Sequence, residues 1–338
     1  MNLLMSIRIW GYKDFSYTRF FLPMLILVAL TTSCIKEGLN ECVNIVRVVP
    51  TSQNGSNSDW IGEGTLENVM LYVFNENQVL LDVFSTEAGK QEHLSYPHTK
   101  KLYVASTANT GDDVLLTAMI PGVTTLAQVE IALKEKEQYL DFDCFNNPPD
   151  IFFGLIEIPN TGTDKVVDLP IYRKVAATMI RVRGLKEHLA TLDSSDDDYT
   201  IILETQYKTI RFDGALTTKA NPISVAHKQT GGFRIAEIDG REYFESPKQV
   251  SSVKTDFFQL LSSDTGTPVS INIYYKGQLV PETPVTVDSF GNPLQVKNDQ
   301  LNVIEIYFGK SNITIRVKEA AWNGVVEIEK DFGPGDDW

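Results

Sequence analysis

The sequence predicts an all-β protein built from two β-sandwich domains in tandem. Short runs rich in β-branched and aromatic residues recur roughly every 8 to 15 residues, as the strands of such domains do. Gly, Asn, Asp and Pro stand between these runs, where turns need them. The length of 338 residues exceeds what one hydrophobic core usually organises, so two domains are expected.

The chain begins with a segment that predicts a secretory signal over residues 1–33. Arg8, Lys13 and Arg19 make its start basic, and Phe20–Leu30 is an apolar stretch. This stretch is too short to span a bilayer, which takes about 20 apolar residues. The segment is therefore expected to direct export.

Small residues stand directly before a cysteine in Thr31-Thr32-Ser33-Cys34. The pattern resembles a bacterial lipobox, although Thr31 stands where that motif usually has Leu. A lipobox implies lipidation of Cys34 with fatty-acyl chains such as palmitate, which hold the mature protein on a membrane. The alternative is a cleaved signal followed by a disulfide cysteine. The next residues, Ile35-Lys36-Glu37, resemble a signal for the outer face of the outer membrane in Bacteroidota, so a surface lipoprotein is expected.

Cys42 and Cys144 are the two remaining cysteines. In an oxidising compartment they form either one disulfide, closing a loop of about 100 residues, or two separately buried thiols. Both alternatives stay open, because the sequence does not tell whether the two Cα atoms come within bonding reach.

Strands dominate the first half of the mature chain. The clearest unit is a hairpin over Val69–Phe84, in which two apolar runs flank Asn75-Glu76-Asn77-Gln78. One helix is expected over Leu126–Leu133, because its apolar residues recur behind Thr125, which suits an N-cap. Further strands are predicted at Asn44–Val49, Lys100–Asn109, Asp150–Ile158, Lys165–Tyr172 and Lys174–Gly184.

A polar, acidic stretch at Leu192–Thr200 predicts a connection between domains or a surface loop. We place the domains at residues 34–184 and 185–338. The aspartates of this stretch lack the alternating spacing of a calcium loop, so we expect a solvated loop. Strands are again predicted in the second domain, at Tyr199–Tyr207, Arg211–Leu216, Phe233–Ile238, Thr255–Leu261, Val269–Val280, Leu301–Phe308 and Asn312–Trp322.

Composition argues against several classes of function. The net charge is −14, whereas a nucleic-acid partner needs a basic face. The four histidines do not stand at i,i+4 with one another or beside a cysteine, so neither a zinc site nor another cofactor is expected. A nucleophile elbow, a metalloprotease helix and a phosphate-binding glycine loop are all missing from the sequence, so an enzyme is not predicted.

These features together resemble the FimB-type fimbrial anchor proteins of Bacteroidales. The matching pieces cover nearly the whole chain and are SCIKEGLNEC, LYVFNENQ, LYVASTAN, FFGLIEI, LPIYRKVAATMIRVRGL and ITIRVKEAAW. The resemblance implies two transthyretin-like domains and a role as the membrane-held first subunit of a fimbria. It also implies that fimbrial shaft subunits are the partners and that subunits join by strand exchange.

The terminal segment Asn323–Trp338 has a pattern that suits such an exchange. Val326, Ile328 and Phe332 alternate approximately with acidic residues, as in a strand with one buried face. A partner's sheet edge offers unpaired N–H and C=O groups that a donated strand satisfies. The alternative is the last strand of the second domain with an acidic tail.

A second function class stays open, a surface glycan-binding lipoprotein of a polysaccharide-uptake system. Such a protein would expose aromatic platforms, for which Trp60, Trp322, Tyr274 and Tyr275 are the candidates.

Overall fold

The computed structural model describes residues 43–51, 66–160, 166–191, 194–218, 225–231, 233–238, 241–246, 258–263, 265–309 and 312–321. Strands account for most of these residues, and the all-β prediction is confirmed. The single α-helix of the described chain, α1 (Leu185–His188), has one turn.

The first half of the chain contains eleven of the described strands. They are β1 (Val43–Pro50), β2 (Val69–Phe74), β3 (Leu80–Thr86), β4 (Gln91–Ser95), β5 (Lys101–Ala108), β6 (Val114–Leu116), β7 (Glu130–Leu133), β8 (Glu135–Tyr139), β9 (Phe142–Phe145), β10 (Phe152–Pro159) and β11 (Val166–Arg173).

The second half of the chain contains fourteen of the described strands. They are β12 (Val175–Arg183), β13 (Tyr199–Thr205), β14 (Tyr207–Arg211), β15 (Leu216–Thr218), β16 (Val225–Thr230), β17 (Arg234–Ile238), β18 (Arg241–Ser246), β19 (Phe258–Leu261), β20 (Thr267–Pro268), β21 (Ser270–Tyr275), β22 (Gln278–Leu279), β23 (Gln295–Val296), β24 (Gln300–Phe308) and β25 (Ile313–Ala321).

The first sheet has seven strands in the order β3-β2-β5-β10-β11-β1-β4. Strands β10 and β11 share only two register pairs, beginning with Phe152 opposite Arg173. One buried cluster contains Val46 and Leu169 from the β4 end of the sheet together with Leu71 and Val104 from the β3 end. Apolar side chains from both ends of the sheet therefore share one core.

Two six-stranded sheets form the second half. One has the order β17-β18-β12-β24-β25, with β19 pairing to β12, and the other has the order β22-β21-β13-β16-β9-β8. A buried cluster between them includes Ile180, Ile201, Ile273 and Ile304. Strand β12 is buried at all nine positions, which explains its nearly continuous apolar sequence.

A four-stranded sheet, β15-β14-β7-β6, combines strands from both halves of the chain. Its Ile131 and Ile210 share a core cluster with Phe153 of the first sheet and Met179 of β12. Strands β8 and β9 likewise join a sheet of the second half. Sheet pairing therefore crosses the predicted division at residue 184, which itself stays a prediction.

The predicted hairpin is confirmed, since β2 and β3 pair antiparallel from Val69 opposite Thr86. The Asn75 side chain closes the turn by accepting hydrogen bonds from the N–H groups of Asn77 and Val79. Strand β2 lies inside the sheet, whereas β3 is its edge.

The predicted helix over Leu126–Leu133 is wrong. One 3-10 turn, Leu126–Gln128, follows Thr125, and β7 begins at Glu130. The alternation of exposure along β7, with Ile131 and Leu133 buried, follows the strand period of two. The apolar spacing that fitted a helix also fits a strand, and antiparallel pairing with β6 and β14 decides between them.

Candidate functional site

Strand β25 is an edge that leads directly into the terminal segment. It pairs antiparallel with β24 along nine residues, from Gln300 opposite Ala321 to Phe308 opposite Ile313, and no other described strand pairs with it. Ile315 and Val317 pack against the core of the second half. The strand predicted at Asn312–Trp322 is therefore present, and one side of its backbone faces away from the sheet.

A short loop covers the middle of that edge. Ser289 donates its N–H to the carbonyl of Ile315 (3.1 Å) and accepts the Ile315 N–H at its Oγ (2.6 Å). The loop is held by Asp288, whose carboxylate accepts the N–H groups of Phe290 and Asn292. The Asn292 side chain also donates to this carboxylate, at 3.0 Å. This bond is the largest cause of the lowered pKa of Asp288, and the backbone hydrogen bonds lower that pKa further. Phe290 is 84% exposed at the tip.

A second edge is apolar and exposed. Strand β6 pairs only with β7 among the described strands, and its Leu115 and Leu116 are exposed. Ile120 and Val123 are exposed on the loop that follows, and Gly122 in this loop donates its N–H to the carbonyl of Leu80 on edge strand β3. Exposed apolar side chains beside sheet edges are typical of protein-protein contact sites.

Two other described edges, β4 and β8, are protected by polar side chains. Strand β8 has the sequence EKEQY and exposes its first four residues. Strand β4 has the sequence QEHLS and buries Leu94 alone. Charged side chains of this kind discourage the pairing of a foreign strand. Strand addition is thus better suited to the β6 edge, and to the parts of the β25 edge that the Ser289 loop leaves uncovered, than to β4 or β8.

The sequence did not single out Leu115, Leu116, Ile120 and Val123. The sequence does contain a pattern that marks this region, because residues 114–129 form an apolar and Thr-rich stretch without any charged residue. Their exposure follows from the position of β6 at a sheet edge, which depends on the non-local pairing of β7 with β14.

Most residues of the predicted sites lie outside the described residues. These are Cys34, Cys42, Val326, Ile328 and Phe332. Cys144 is described and lies buried on β9, where its Sγ donates to the Phe142 carbonyl at 3.9 Å. Burial raises the pKa of this thiol, so it is protonated at neutral pH. Because Cys42 lies outside the described residues, the disulfide and the two separately buried thiols both stay as alternatives.

The candidate glycan-binding tyrosines lie in packed surroundings. Tyr274 is 8% exposed and contacts Tyr139 and Phe142 edge to face, with ring centroids 6.1 and 6.3 Å apart. Tyr275 packs against Tyr199. Neither is an open platform, and Trp60 and Trp322 lie outside the described residues.

A cavity of about 280 Å³ lies beside β14 and β15, with Lys174 and the residues after β19 in its wall. Its lining combines the apolar surface of Tyr207 and Leu216 with the hydroxyl-bearing residues Ser262, Ser263 and Thr265. Such a mixture suits a small polar ligand with one apolar face.

His227 is fully buried on β16, and neither ring nitrogen has a hydrogen-bond partner. Burial lowers its pKa to about 3, so the ring is neutral at physiological pH. Within the described ranges, no group of three or more His, Cys, Asp or Glu side chains is placed to hold a metal ion. The part of the chain that the structure describes also contains no helix long and apolar enough to cross a membrane.

Comparison with known proteins places these features in a family. The sequence profile of the fimbrillin-A associated anchor proteins, Mfa1 and Mfa2, matches residues 44–326. No curated protein sequence matches the chain.

Solved structures share the fold at low sequence identity. The fimbrial anchor protein Mfa2 from Porphyromonas gingivalis matches with a TM-score of 0.53 and 13% identity over 83% of this chain and 98% of that one. A candidate polysaccharide-binding protein from Bacteroides thetaiotaomicron matches with a TM-score of 0.54 and 15% identity over 86% and 99%. A candidate adhesin from the same species matches with a TM-score of 0.52 and 10% identity over 83% and 97%.

The profile match spans most of the chain and includes every strand described above except the first residue of β1. The resemblance to fimbrial anchor proteins is thereby confirmed, and it assigns a fimbria-associated, structural role at the cell surface. On this match, the chain belongs to the family of fimbrillin-A associated anchor proteins.

Proposed function

We propose that this chain is the lipid-anchored basal subunit of a cell-surface fimbria. It attaches the fibre to the outer membrane through acyl chains on Cys34 and joins the next subunit by β-strand exchange. The family match over residues 44–326 carries this proposal. The lipobox-like residues before Cys34 support the membrane attachment.

The segment Gly324–Trp338 is the proposed donor. Its first residue stands three positions after Ala321, where the edge strand β25 ends. Val326, Ile328 and Phe332 would fill pockets in the next subunit, while the intervening acidic residues stay at the surface. Such a joint is strong because it adds both hydrogen bonds and buried apolar area.

Two variants separate membrane anchoring from subunit joining. Cys34→Ala is expected to abolish fatty-acid labelling and to release fibres that still carry this subunit at their base. Deletion of residues 324–338 is expected to leave a labelled, membrane-bound subunit while fibres without it appear in the medium. Immunoblotting of membrane and medium fractions measures both outcomes.

The outcomes also test each step of the proposal. Undiminished labelling of the Cys34→Ala protein would contradict the lipid anchor. A truncated protein that melts like the full chain, in cells that keep their fibres, would contradict the donor segment. Joining would then be sought at the apolar edge of β6, where Leu115→Glu and Leu116→Glu are the corresponding variants.

One observation favours a second candidate function, glycan binding. The cavity beside Tyr207 has a size and lining suited to a sugar unit, and one solved structure of similar fold is a candidate polysaccharide-binding protein. Calorimetric titration with surface polysaccharide fragments tests it. Binding that Tyr207→Ala removes would support this function, and an absence of heat with every fragment would contradict it.

A further inference from the structure

A hairpin of residues 285–294, here called the strap, ties the edge strand β25 to the opposite sheet. At its base, Val285 exchanges two hydrogen bonds with Ile271 of β21, both at 2.9 Å. At its tip, Ser289 exchanges two hydrogen bonds with Ile315 of β25, at 3.1 and 2.6 Å. Strands β21 and β25 belong to the two different six-stranded sheets. The strap therefore spans the side of the sandwich between their edges.

The strap is built to hold its tip in one place. Val285 and Leu294 at its base are 5% and 1% exposed and belong to the core between the two sheets. Its arms are joined by the Leu294 N–H, which donates to the Thr286 carbonyl at 2.8 Å, and by the Asp288 N–H, which donates to the Asn292 carbonyl at 2.8 Å. The Asp288 carboxylate then fixes the tip, as described above. A strap anchored in this way keeps Ser289 against β25.

Ser289 takes the place of a strand residue. In an antiparallel ladder, every second residue directs both its N–H and its C=O away from a given neighbour. Ile315 directs both groups to Ser289, so on the side facing away from β24 it is paired as it would be by another strand. Ser289 supplies its own N–H as the donor and its Oγ, in place of a carbonyl, as the acceptor. The strap thus occupies a position at which an added strand would bond.

The same alternation leaves further outward-facing backbone groups on β25, at Val317 and Glu319. Glu319 forms an ion pair with Lys297, whose Nζ lies 3.0 Å from its carboxylate. Charged side chains on an edge discourage pairing with a foreign strand. A strand that pairs along the whole of β25 has to displace Ser289 from Ile315.

Without Ser289, the edge would suit a second copy of itself. Antiparallel pairing of two β25 strands about Ile315 sets Arg316 opposite Thr314 of the other copy, so no like charges meet there. Pairing about Arg316 sets this residue opposite itself, and pairing about Val317 sets it opposite Lys318. Like charges directly opposite each other destabilise a strand pair. The favoured register is therefore the one whose centre Ser289 occupies.

This register also has apolar complementarity. Ile313, Ile315 and Val317 are only partly buried against the core of the second half. In the pair centred on Ile315, Ile313 of one copy would face Val317 of the other, and the two Ile315 side chains would face each other. Their further burial favours association. A two-fold pair of this kind joins the two sheets into one continuous sheet.

We propose that the strap is a guard that prevents two copies of this chain from pairing through their β25 edges. The guard acts within one chain, through the two hydrogen bonds between Ser289 and Ile315. The inference goes beyond the proposed function, because it concerns pairing between identical subunits rather than joining to the next one. It is tested on the purified protein, so its outcome is independent of lipidation and of fibre attachment.

Ser289→Pro removes both hydrogen bonds of the guard, because proline has neither the N–H nor the hydroxyl. All proteins in the test carry Cys34→Ala, so that no acyl chain contributes to association. In Ser289→Pro, the amide of Ile315 is expected to exchange about tenfold faster when the protein is dilute. The dimer dissociation constant, measured by sedimentation, is expected to fall by about tenfold or more. Phe290→Ser is the matched control in the same tip, since this side chain is 84% exposed, and it should change neither value.

Substitutions of Thr314 test the register of the pair. Added to Ser289→Pro, Thr314→Arg sets a like charge opposite Arg316 twice in each dimer and should restore the monomer, whereas Thr314→Glu should strengthen the dimer. The proposal is overturned if Ser289→Pro melts like the unmodified protein and stays equally monomeric, or if Thr314→Arg leaves its dimer intact. If Ser289→Pro does not fold, Ser289→Ala decides in its place. That variant loses only the bond to Oγ, and unchanged exchange at Ile315 would overturn the guard.

Discussion

Arg173 joins the two halves of the molecule, and its removal should uncouple them. Its Nε and Nη2 donate to the Asp150 carboxylate at 2.5 and 2.9 Å, and its Nη1 donates to Asp299 at 2.7 Å. Asp150 precedes β10 in the first sheet, whereas Asp299 precedes β24 in the second half. The guanidinium also lies 4.9 Å from the ring centre of Phe152.

Replacement of Arg173 by Met keeps the volume and removes the charge. Arg173 is 4% exposed and Asp299 3%, so the variant leaves a buried carboxylate without this cation. Breaking a buried pair in this way costs about 3–5 kcal/mol. The side chain of Asp150 is 22% exposed, which lets water replace part of its lost hydrogen bonds, so most of the loss should arise at Asp299.

The exposed pair Arg47 and Asp168 is a matched control. It has the same bidentate geometry, at 2.8 and 3.0 Å, but its side chains are 40% and 52% exposed. Water and salt screen such a pair, and Arg47→Met should leave the urea midpoint close to that of the unmodified protein.

Urea unfolding followed by circular dichroism measures both variants, and hydrogen exchange shows where the fold opens. Arg173→Met should speed exchange in β10 and β24 together. The reasoning would be refuted if Arg173→Met lost less than about 1 kcal/mol, or if exchange rose in one half alone.

Two further predictions concern the core. Leu71 and Phe74 on β2 are fully buried. Leu71→Ala and Phe74→Ala should each therefore lower the free energy of urea unfolding by about 2–5 kcal/mol. Losses below about 0.5 kcal/mol for both variants would show that β2 is not central to the core. Burial lowers the pKa of His227 from 6.5 to about 3. Below pH 6.5 the unfolded chain therefore binds a proton at this side chain, whereas the folded protein binds it only near pH 3. The full free energy of unfolding is therefore present above pH 6.5, and about 2 kcal/mol of it is lost by pH 5. His227→Leu should remove this loss. The same pH dependence of unfolding in the variant as in the unmodified protein would contradict the prediction.

Strands with a strong local pattern could be predicted from the sequence. Strand β12 has apolar residues on both faces over Val175–Ala177 and Met179–Ile180, and β25 alternates Ile and Val with Thr, Arg and Lys. Strands β4 and β8 were missed because they are polar edge strands, whose stability comes from pairing with a neighbour rather than from an apolar pattern. The wrongly predicted helix at β7 has the same origin. In a strand of only four residues, the apolar spacing fits both the strand repeat of two and the helical repeat, and only the pairing partners distinguish them.

The candidate surfaces were harder to predict because they depend on sheet order. Ser289 and Ile315 meet because the strap crosses from β21 of one sheet to β25 of the other. The exposure of Leu115 follows from β6 having one strand neighbour in the described sheet. Local patterns identify strands, but the order of strands is set by contacts between distant residues.

The strand order also suits a subunit under tension between a membrane and a fibre. With the lipid at Cys34, force would enter β1 at its first residue, Val43, and would leave β11 at its end, where the chain continues into β12. Since β1 and β11 are parallel over six register pairs, these two points lie at opposite ends of the ladder. The hydrogen bonds between the strands are then loaded in shear and resist together, whereas a hairpin pulled from its open end loses them one at a time. In the second half β12 and β24 are also parallel, over seven register pairs, and the Arg173 ion pairs connect this ladder to the first. An anchor held at Cys34 would thus carry the tension that enters its first sheet across one sheared ladder, that of β1 and β11.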